Sequence, residues 1–112
     1  MISDPDCIFC KIVKGDLPAD IVYEDDDLLA FKDINPVSKV HVLVIPKRHV
    51  SSLNALDDPE LAGKLMLAVP KVAHKMGVGD GYRSIINTGS SVGQTVFHLH
   101  IHILGGRKLS WP

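Results

Sequence analysis

The chain has 112 residues, of which 46% are hydrophobic and 22% charged, and its formal net charge is −1. This length predicts one domain over residues 1–112, and the hydrophobic content predicts a folded core. There is no long basic run and no apolar run of about 20 residues, so we expect neither a nucleic-acid-binding surface nor a membrane span. The acidic segment 1–6 lacks the apolar stretch of a signal peptide, and we expect a cytoplasmic protein.

The first half of the chain predicts a short helix followed by three strands. Apolar residues recur at helical spacing from Cys7 to Lys14, and Gly15 ends the helix. Three apolar runs separated by turn residues predict strands over residues 21–24, 28–33 and 40–45. The third run is apolar on both faces and should therefore be central in the sheet.

The second half predicts one long helix and two further strands. Asp57 as the N-cap and Pro59 in the first turn begin a helix that Gly77 ends, and Pro70 should kink it. Strands follow over residues 82–87 and 97–104. Strands that are mostly joined by short turns, with one long helix between them, favour an α+β fold with an antiparallel sheet.

The last predicted strand alternates apolar residues with three histidines. On a strand, His98, His100 and His102 would form a row on one face, opposite an apolar face that begins at Phe97. The outer pair would lie about 13 Å apart, too far for one metal ion to bind all three, although an adjacent pair could share one. A neutral imidazole is a nucleophile near pH 7, so the row favours nucleophilic and acid–base chemistry over exposed surface histidines.

A polar loop, residues 89–95, directly precedes the histidine row. Its glycines, Gly89 and Gly93, would let the backbone approach a ligand closely, and free amides suit phosphate oxygens. An ordinary connecting loop is the alternative. Beside the histidine row, the loop favours chemistry at phosphorus.

Both cysteines lie in one unit, Cys7-Ile8-Phe9-Cys10. In a cytosolic protein this spacing favours metal or redox chemistry over a structural disulfide. A structural zinc site has four ligands, of which this pair would supply two. A reduced pair without metal is the alternative.

Residues 94–106 resemble the signature of the histidine triad (HIT) family, and the resemblance is to its Hint branch. Supporting segments are spread over nearly the whole chain, at residues 7–12, 31–34, 41–49 and 111–112. The resemblance implies a HIT-like α+β fold, in which a five-stranded antiparallel sheet carries one long and one short helix. It also implies a homodimer with a continuous sheet.

The resemblance further implies an enzyme that hydrolyses the P–N bond of purine nucleoside 5′-phosphoramidates through a nucleotidyl-histidine intermediate. His100 is the implied nucleophile, His102 contacts the reacting phosphate, and His98 positions the nucleophile. His41 matches the fourth active-site histidine. The implied nucleotide contacts, besides His100 and His102, are Asp33, Ile34, Asn87, Gln94 and Thr95. Histidine at position 102, where the transferase branch has glutamine, favours a hydrolase.

Zinc-bearing relatives provide the remaining implied ligands. His49 and His98 match the partners of Cys7 and Cys10, and the resemblance implies a structural zinc ion there. A dinucleoside polyphosphate hydrolase and a zinc-containing, nucleotide-binding regulatory protein remain as alternative functions.

Overall fold

The computed structural model describes residues 3–111, so Met1, Ile2 and Pro112 of the predicted N-terminal segment and C-terminal tail lie outside the described residues. Over this range the chain forms two α-helices and five strands. The helices are α1 (Ile8–Lys14) and α2 (Pro59–Lys75). The strands are β1 (Ile21–Glu24), β2 (Leu28–Lys32), β3 (Val40–Pro46), β4 (Tyr82–Ile85) and β5 (Ile101–Gly105). Within the described residues, no helix is long and apolar enough to cross a bilayer.

The five strands form one antiparallel sheet in the order β1-β2-β3-β5-β4. The predicted α+β fold is confirmed, and β3 is central as its apolar composition indicated. Alternate residues of β3 face two cores: Val42 and Val44 pack in the cluster that includes α2, whereas Leu43 and Ile45 pack with Phe9 of α1. The period of two along β3 thus places one helix on each face of the sheet.

Helix α1 begins with a cysteine as its N-cap. The Cys7 sulfur accepts a hydrogen bond from the Cys10 backbone N–H at 3.3 Å. Gly15 ends the helix with φ of 84°, a left-handed conformation that glycine adopts without strain. The predicted short helix is confirmed, and its first turn carries both cysteines.

Helix α2 starts one residue later than predicted. The N-cap is Asp58, whose carboxylate accepts hydrogen bonds from the N–H groups of Glu60 and Leu61, both at 3.1 Å. Asp57 was the predicted cap because Glu60 is spaced for a capping box from it, but the cap is Asp58, directly before Pro59 at the first helical position. Pro70 lies inside the helix, which continues to Lys75.

Strand β5 is shorter than the predicted strand. Leu99, Ile101 and Ile103 are buried as predicted, and the difference lies at the start of the segment. It begins at Ile101, and residues 97–100 are not part of the ladder. Phe97 is 52% exposed, whereas His98 is completely buried, the opposite of the predicted arrangement. The His98 ring is buried because it lies between the Pro46 carbonyl and the Cys7 sulfur, at 2.7 and 3.3 Å.

Candidate functional site

The three histidines of the motif have different surroundings. His98 and His100 lie in the irregular segment before β5, whereas His102 lies within β5. His98 is fully buried and His100 is 7% exposed. The rings of His100 and His102 are neighbours, with centroids 5.0 Å apart. The three imidazoles of the predicted row therefore lie in three different chemical environments.

His98 has a single possible neutral tautomer. Its Nε2 lies 2.7 Å from the Pro46 carbonyl oxygen, which can only accept, so Nε2 carries the proton. The Nδ1 lone pair faces the sulfurs of Cys7 and Cys10, at 3.3 and 3.5 Å. Burial lowers the pKa of His98 to about 4, with smaller contributions from His49 and His100. His98 thus presents an unprotonated nitrogen to two cysteines.

Four potential metal ligands converge around that nitrogen. One donor atom from each of Cys7, Cys10, His49 and His98 lies within 4.8 Å of all the others. The Cys10 sulfur is 3.4 Å from Nδ1 of His49. In a tetrahedral zinc site, bond lengths of about 2.3 Å to sulfur and about 2.0–2.1 Å to nitrogen put such atoms about 3.6 Å apart. All four predicted ligands are brought together, and two sulfur and two imidazole donors suit zinc.

Neighbouring groups around the cluster match those of a metal site. The carbonyl of Pro46 orients His98, as second-shell acceptors commonly do for metal-bound imidazoles. The backbone N–H of Asp4 points at the Cys10 sulfur at 3.4 Å. Burial raises the pKa of the Cys7 thiol, so a metal ion would displace a proton that the thiol otherwise retains.

His100 has the opposite tautomer to His98. Its Nδ1 donates to the backbone oxygen of His98 at 2.7 Å, which leaves the lone pair on Nε2. The ring also meets Phe9 edge to face, with centroids 5.2 Å apart and an interplanar angle of 83°. A buried imidazole with a free Nε2 lone pair is suited to act as a nucleophile.

His102 forms a hydrogen-bonded chain with His41. The Val37 backbone N–H donates to Nδ1 of His41 at 3.2 Å, so the His41 proton is on Nε2. That Nε2 lies 2.9 Å from Nδ1 of His102 and 3.4 Å from Oδ2 of Asp33. Since His102 accepts at Nδ1, its own proton is on Nε2. This series of hydrogen bonds therefore ends at the Nε2–H donor of His102, whose ring lies beside that of His100.

His41 and His102, the two histidines joined by this hydrogen bond, are both neutral near pH 7. Burial, with smaller contributions from His100 and His41, lowers the pKa of His102 to about 4. Burial also lowers the pKa of His41, although the Asp33 carboxylate acts in the opposite direction. Because both rings are neutral, each keeps one nitrogen as acceptor, and the hydrogen bonds run from Val37 to His41 and from His41 to His102.

Donor atoms of Asp33, His41 and His102 also lie within 4.8 Å of one another, close enough for a metal ion. Here the hydrogen bonding does not suit a metal. The Val37 N–H occupies the lone pair of His41 Nδ1, so the proton is on the Nε2 atom that would have to bind the ion. We assign this second cluster to proton positioning rather than to metal binding.

The remaining predicted nucleotide contacts have varied environments. Ile34 follows β2 and is 91% exposed, and Asn87 lies beyond β4 beside Gly93. Gln94 is 2% exposed and holds the loop together: its oxygen accepts from Gly89, and its nitrogen donates to Ser51 and Val96. Thr95 is exposed and lines a groove with Cys7 and His49. Their roles as nucleotide contacts stay predictions.

Sequence patterns missed three groups that orient the histidines. Two are backbone groups, the Val37 N–H and the Pro46 carbonyl, which carry no signal in a side-chain pattern. The third is Phe9, whose ring contacts both His98 and His100. Its position inside the Cys-x-x-Cys unit was the available signal.

Comparisons with known proteins identify the family and the fold. The HIT domain family matches residues 14–109. An uncharacterized HIT-like protein from Synechocystis is 56% identical over 109 residues, which cover 96% of each chain. A histidine triad protein from Clostridium difficile has a TM-score of 0.93 at 45% identity and covers 99% of both chains. A HIT family hydrolase from Legionella pneumophila has a TM-score of 0.91 at 43% identity, covering 96% of this chain and 98% of the other. With the histidine motif, the sheet order and these matches in agreement, the chain belongs to the HIT domain family.

Proposed function

We propose that this protein is a nucleotide hydrolase of the Hint type that cleaves nucleoside 5′-phosphoramidates through a nucleotidyl-His100 intermediate. The observation that carries this function is the pair of opposite tautomers at the reacting end of the site. His100 has an unprotonated Nε2, and the adjacent His102 has a protonated one. A nucleophile and a hydrogen-bond donor thus stand side by side, as displacement at phosphorus requires.

The reaction proceeds in two displacements. In the first, the Nε2 lone pair of His100 attacks phosphorus, the P–N bond of the substrate breaks, and the amine leaves with a proton from solvent. In the new imidazolium, Nδ1–H still donates to the His98 backbone oxygen, which stabilises the positive charge. In the second, water attacks phosphorus and the P–Nε2 bond breaks. This step yields a nucleoside monophosphate and neutral His100, and the attacking water releases a proton to solvent.

His102 stabilises the phosphoryl oxygens during both displacements. Its Nε2–H donates to an oxygen on which negative charge accumulates in the transition state. His41 holds this donor in place, since its own N–H occupies Nδ1 of His102 at 2.9 Å. In this proposal Asp33 and the exposed Ile34 bind the ribose and base, and Asn87 with the loop 89–95 borders the phosphate.

The direct test compares the wild type with His100→Ala on adenosine 5′-phosphoramidate. We expect hydrolysis to fall by about 10⁴-fold or more, as loss of a nucleophile does, while AMP binding persists. Undiminished hydrolysis in the variant would overturn the proposal. Parallel assays with a dinucleoside polyphosphate distinguish this function from the alternative hydrolase. Tight nucleotide binding with negligible turnover of both substrates would instead favour a regulatory protein.

We also propose that the cluster of Cys7, Cys10, His49 and His98 holds a structural zinc ion. Support comes from the donor set and from sulfur–nitrogen distances of 3.3–3.5 Å. When bound, zinc would connect helix α1 to the segment that precedes β5. None of the proposed chemical steps passes through it.

A homodimer is part of the same proposal. Helix α2 exposes Met66 and Leu67, which are 62% and 67% accessible, and β4 is an edge strand of the sheet. An exposed apolar pair on a helix and an open strand edge are each suited to association with a second copy. Sedimentation equilibrium should give twice the chain mass. Replacing both exposed side chains by Glu should give the monomer.

A further inference from the structure

We infer that the metal cluster positions the catalytic imidazole of His100, through the His98 carbonyl and the ring of Phe9. This inference rests on the proposed function, because it assigns His100 a catalytic task. It adds Phe9 as a positioning residue and gives the metal site a second role besides holding the fold together.

The first connection is the backbone of His98. One ring nitrogen of His98 faces the cysteines and the other donates to Pro46, so the ring is held on both sides. The carbonyl of the same residue accepts from Nδ1 of His100 at 2.7 Å. This bond selects the tautomer that has its lone pair on Nε2. A displacement of His98 therefore changes the acceptor that determines which His100 nitrogen is free.

The second connection is Phe9, which lies between the two cysteines in sequence. Its side chain is 6% exposed and meets the His100 ring at 5.2 Å and the His98 ring at 5.9 Å. Both contacts are edge to face. Phe9 thus limits the rotation of the imidazole that the His98 carbonyl orients.

Helix α1 depends on contacts outside itself for its position. It has seven residues, and isolated helices of this length are marginal in water. Its first turn is fixed by Phe9 in the core and by the cysteines that face His49 and His98. Loss of the metal would remove the cysteine attachment and leave the Phe9 ring less constrained. His41 and His102 are tied to Val37 and Asp33 instead, so we expect their arrangement to persist.

The test uses the zinc-loaded protein with ¹⁵N-labelled histidine and follows the ring nitrogens by NMR. His100 should show a protonated Nδ1 and a free Nε2, assigned with His100→Ala. After zinc removal by a chelator, we expect the His100 signals to broaden or shift toward the average of two tautomers. The signals of His41, which bonds to Val37 and faces Asp33, should stay unchanged and so report that the fold persists. Unchanged His100 signals in the zinc-free protein would overturn the inference.

Phe9→Leu provides a second test that leaves all four ligands in place, and Phe31→Leu is the matched control. Phe31 belongs to the same core cluster and meets Phe9 at 5.4 Å, and its aromatic contact within residues 3–111 is with Phe9. For Phe9→Leu we expect full zinc content, an unchanged KM and a kcat lower by about ten- to hundred-fold, as small misplacements of reacting groups produce. Phe31→Leu should keep kcat within about two-fold at a similar loss of stability. Equal kcat values in the two variants contradict the inference.

The two proposals fail in different ways. If His100→Ala still hydrolyses the substrate, the proposed function is wrong, whatever the NMR signals show. If His100→Ala is inactive, but zinc removal leaves the His100 ring signals unchanged or Phe9→Leu and Phe31→Leu have equal kcat values, the positioning inference alone is wrong.

Discussion

His41 Nε2 lies 2.9 Å from His102 Nδ1, and the backbone N–H of Val37 determines the direction of that hydrogen bond. Because Val37 donates to one nitrogen of His41, the other must carry the proton and donate to His102. A main-chain amide thereby determines which nitrogen of His102 can donate to a substrate. The fourth histidine thus has a defined task although it lies outside the motif.

Replacing His41 tests this relationship. In His41→Ala the donor to His102 is lost, so the His102 ring can rotate or change tautomer. We expect kcat to fall by about ten- to hundred-fold. His41→Gln can still donate an amide N–H and should retain more activity than the alanine variant. If both variants lost the same factor in kcat, the hydrogen bond donated to His102 would not be the basis of the His41 effect.

The depressed pKa of His102 predicts a pH-dependent stability. Burial, together with smaller effects of His100 and His41, lowers this pKa from 6.5 to about 4. Above pH 6.5 the residue is neutral in both states. Between pH 6.5 and about 4 the unfolded chain takes up a proton that the folded chain excludes, so the free energy of unfolding falls as the pH falls.

The measurement is the difference in unfolding free energy between the wild type and His102→Gln at each pH. Subtraction cancels the contributions of His98 and of the metal ligands. We expect the wild type to lose stability relative to the variant between pH 6.5 and about 4, and the difference to be constant above pH 6.5. If the difference in unfolding free energy did not change between pH 6.5 and about 4, the assignment of His102 as neutral in the folded protein would be wrong.

Metal content gives an independent prediction. Protein purified without added metal should contain about one zinc per chain, since one closed four-ligand site is expected. Cys10→Ser should lose most of the metal and have a lower melting temperature, because a ligand that binds only the folded state stabilises it. Elemental analysis and thermal unfolding check both. Less than about a tenth of an equivalent in the wild type would rule out a structural site.

Gln94 should act on the loop rather than on the chemistry directly. Gln94→Leu leaves the partners at Gly89, Ser51 and Val96 without their hydrogen bonds. Unpaired buried polar groups cost about 1–3 kcal/mol each, and we expect a total loss of stability within that range because the loop can partly rehydrate. KM for the nucleotide should rise as the loop loses its shape. Urea unfolding and steady-state kinetics measure the two effects, and unchanged stability would contradict the bracing role.

Most of the fold could be predicted because it follows local patterns. The two-sided apolar run at residues 40–45 placed β3 at the centre, and Gly15 marked the end of α1. The last strand was predicted too long because alternation alone does not distinguish a strand from an extended segment held by side chains. His98 leaves the ladder to meet Cys7, 91 residues earlier, and no local pattern reports such a contact.

The candidate site could be predicted only as a set of residues. The residue pattern and the family resemblance together identified the residues of both clusters, and the structure brings their donor atoms together. Neither could indicate which nitrogen of each ring carries the proton, because Val37, Pro46 and the His98 carbonyl decide this through the backbone. The Phe9 contact with His100 depends on packing across the sheet and was likewise not visible.

Trapping the covalent intermediate tests the central claim most directly. The wild type is mixed with adenosine 5′-phosphoramidate, quenched within a turnover under alkaline denaturing conditions that preserve phosphohistidine, and mapped by mass spectrometry. We predict an added AMP on His100, which is absent from His100→Ala. An AMP group on another residue, or steady turnover with no adduct at any time point, would contradict a nucleotidyl-His100 intermediate.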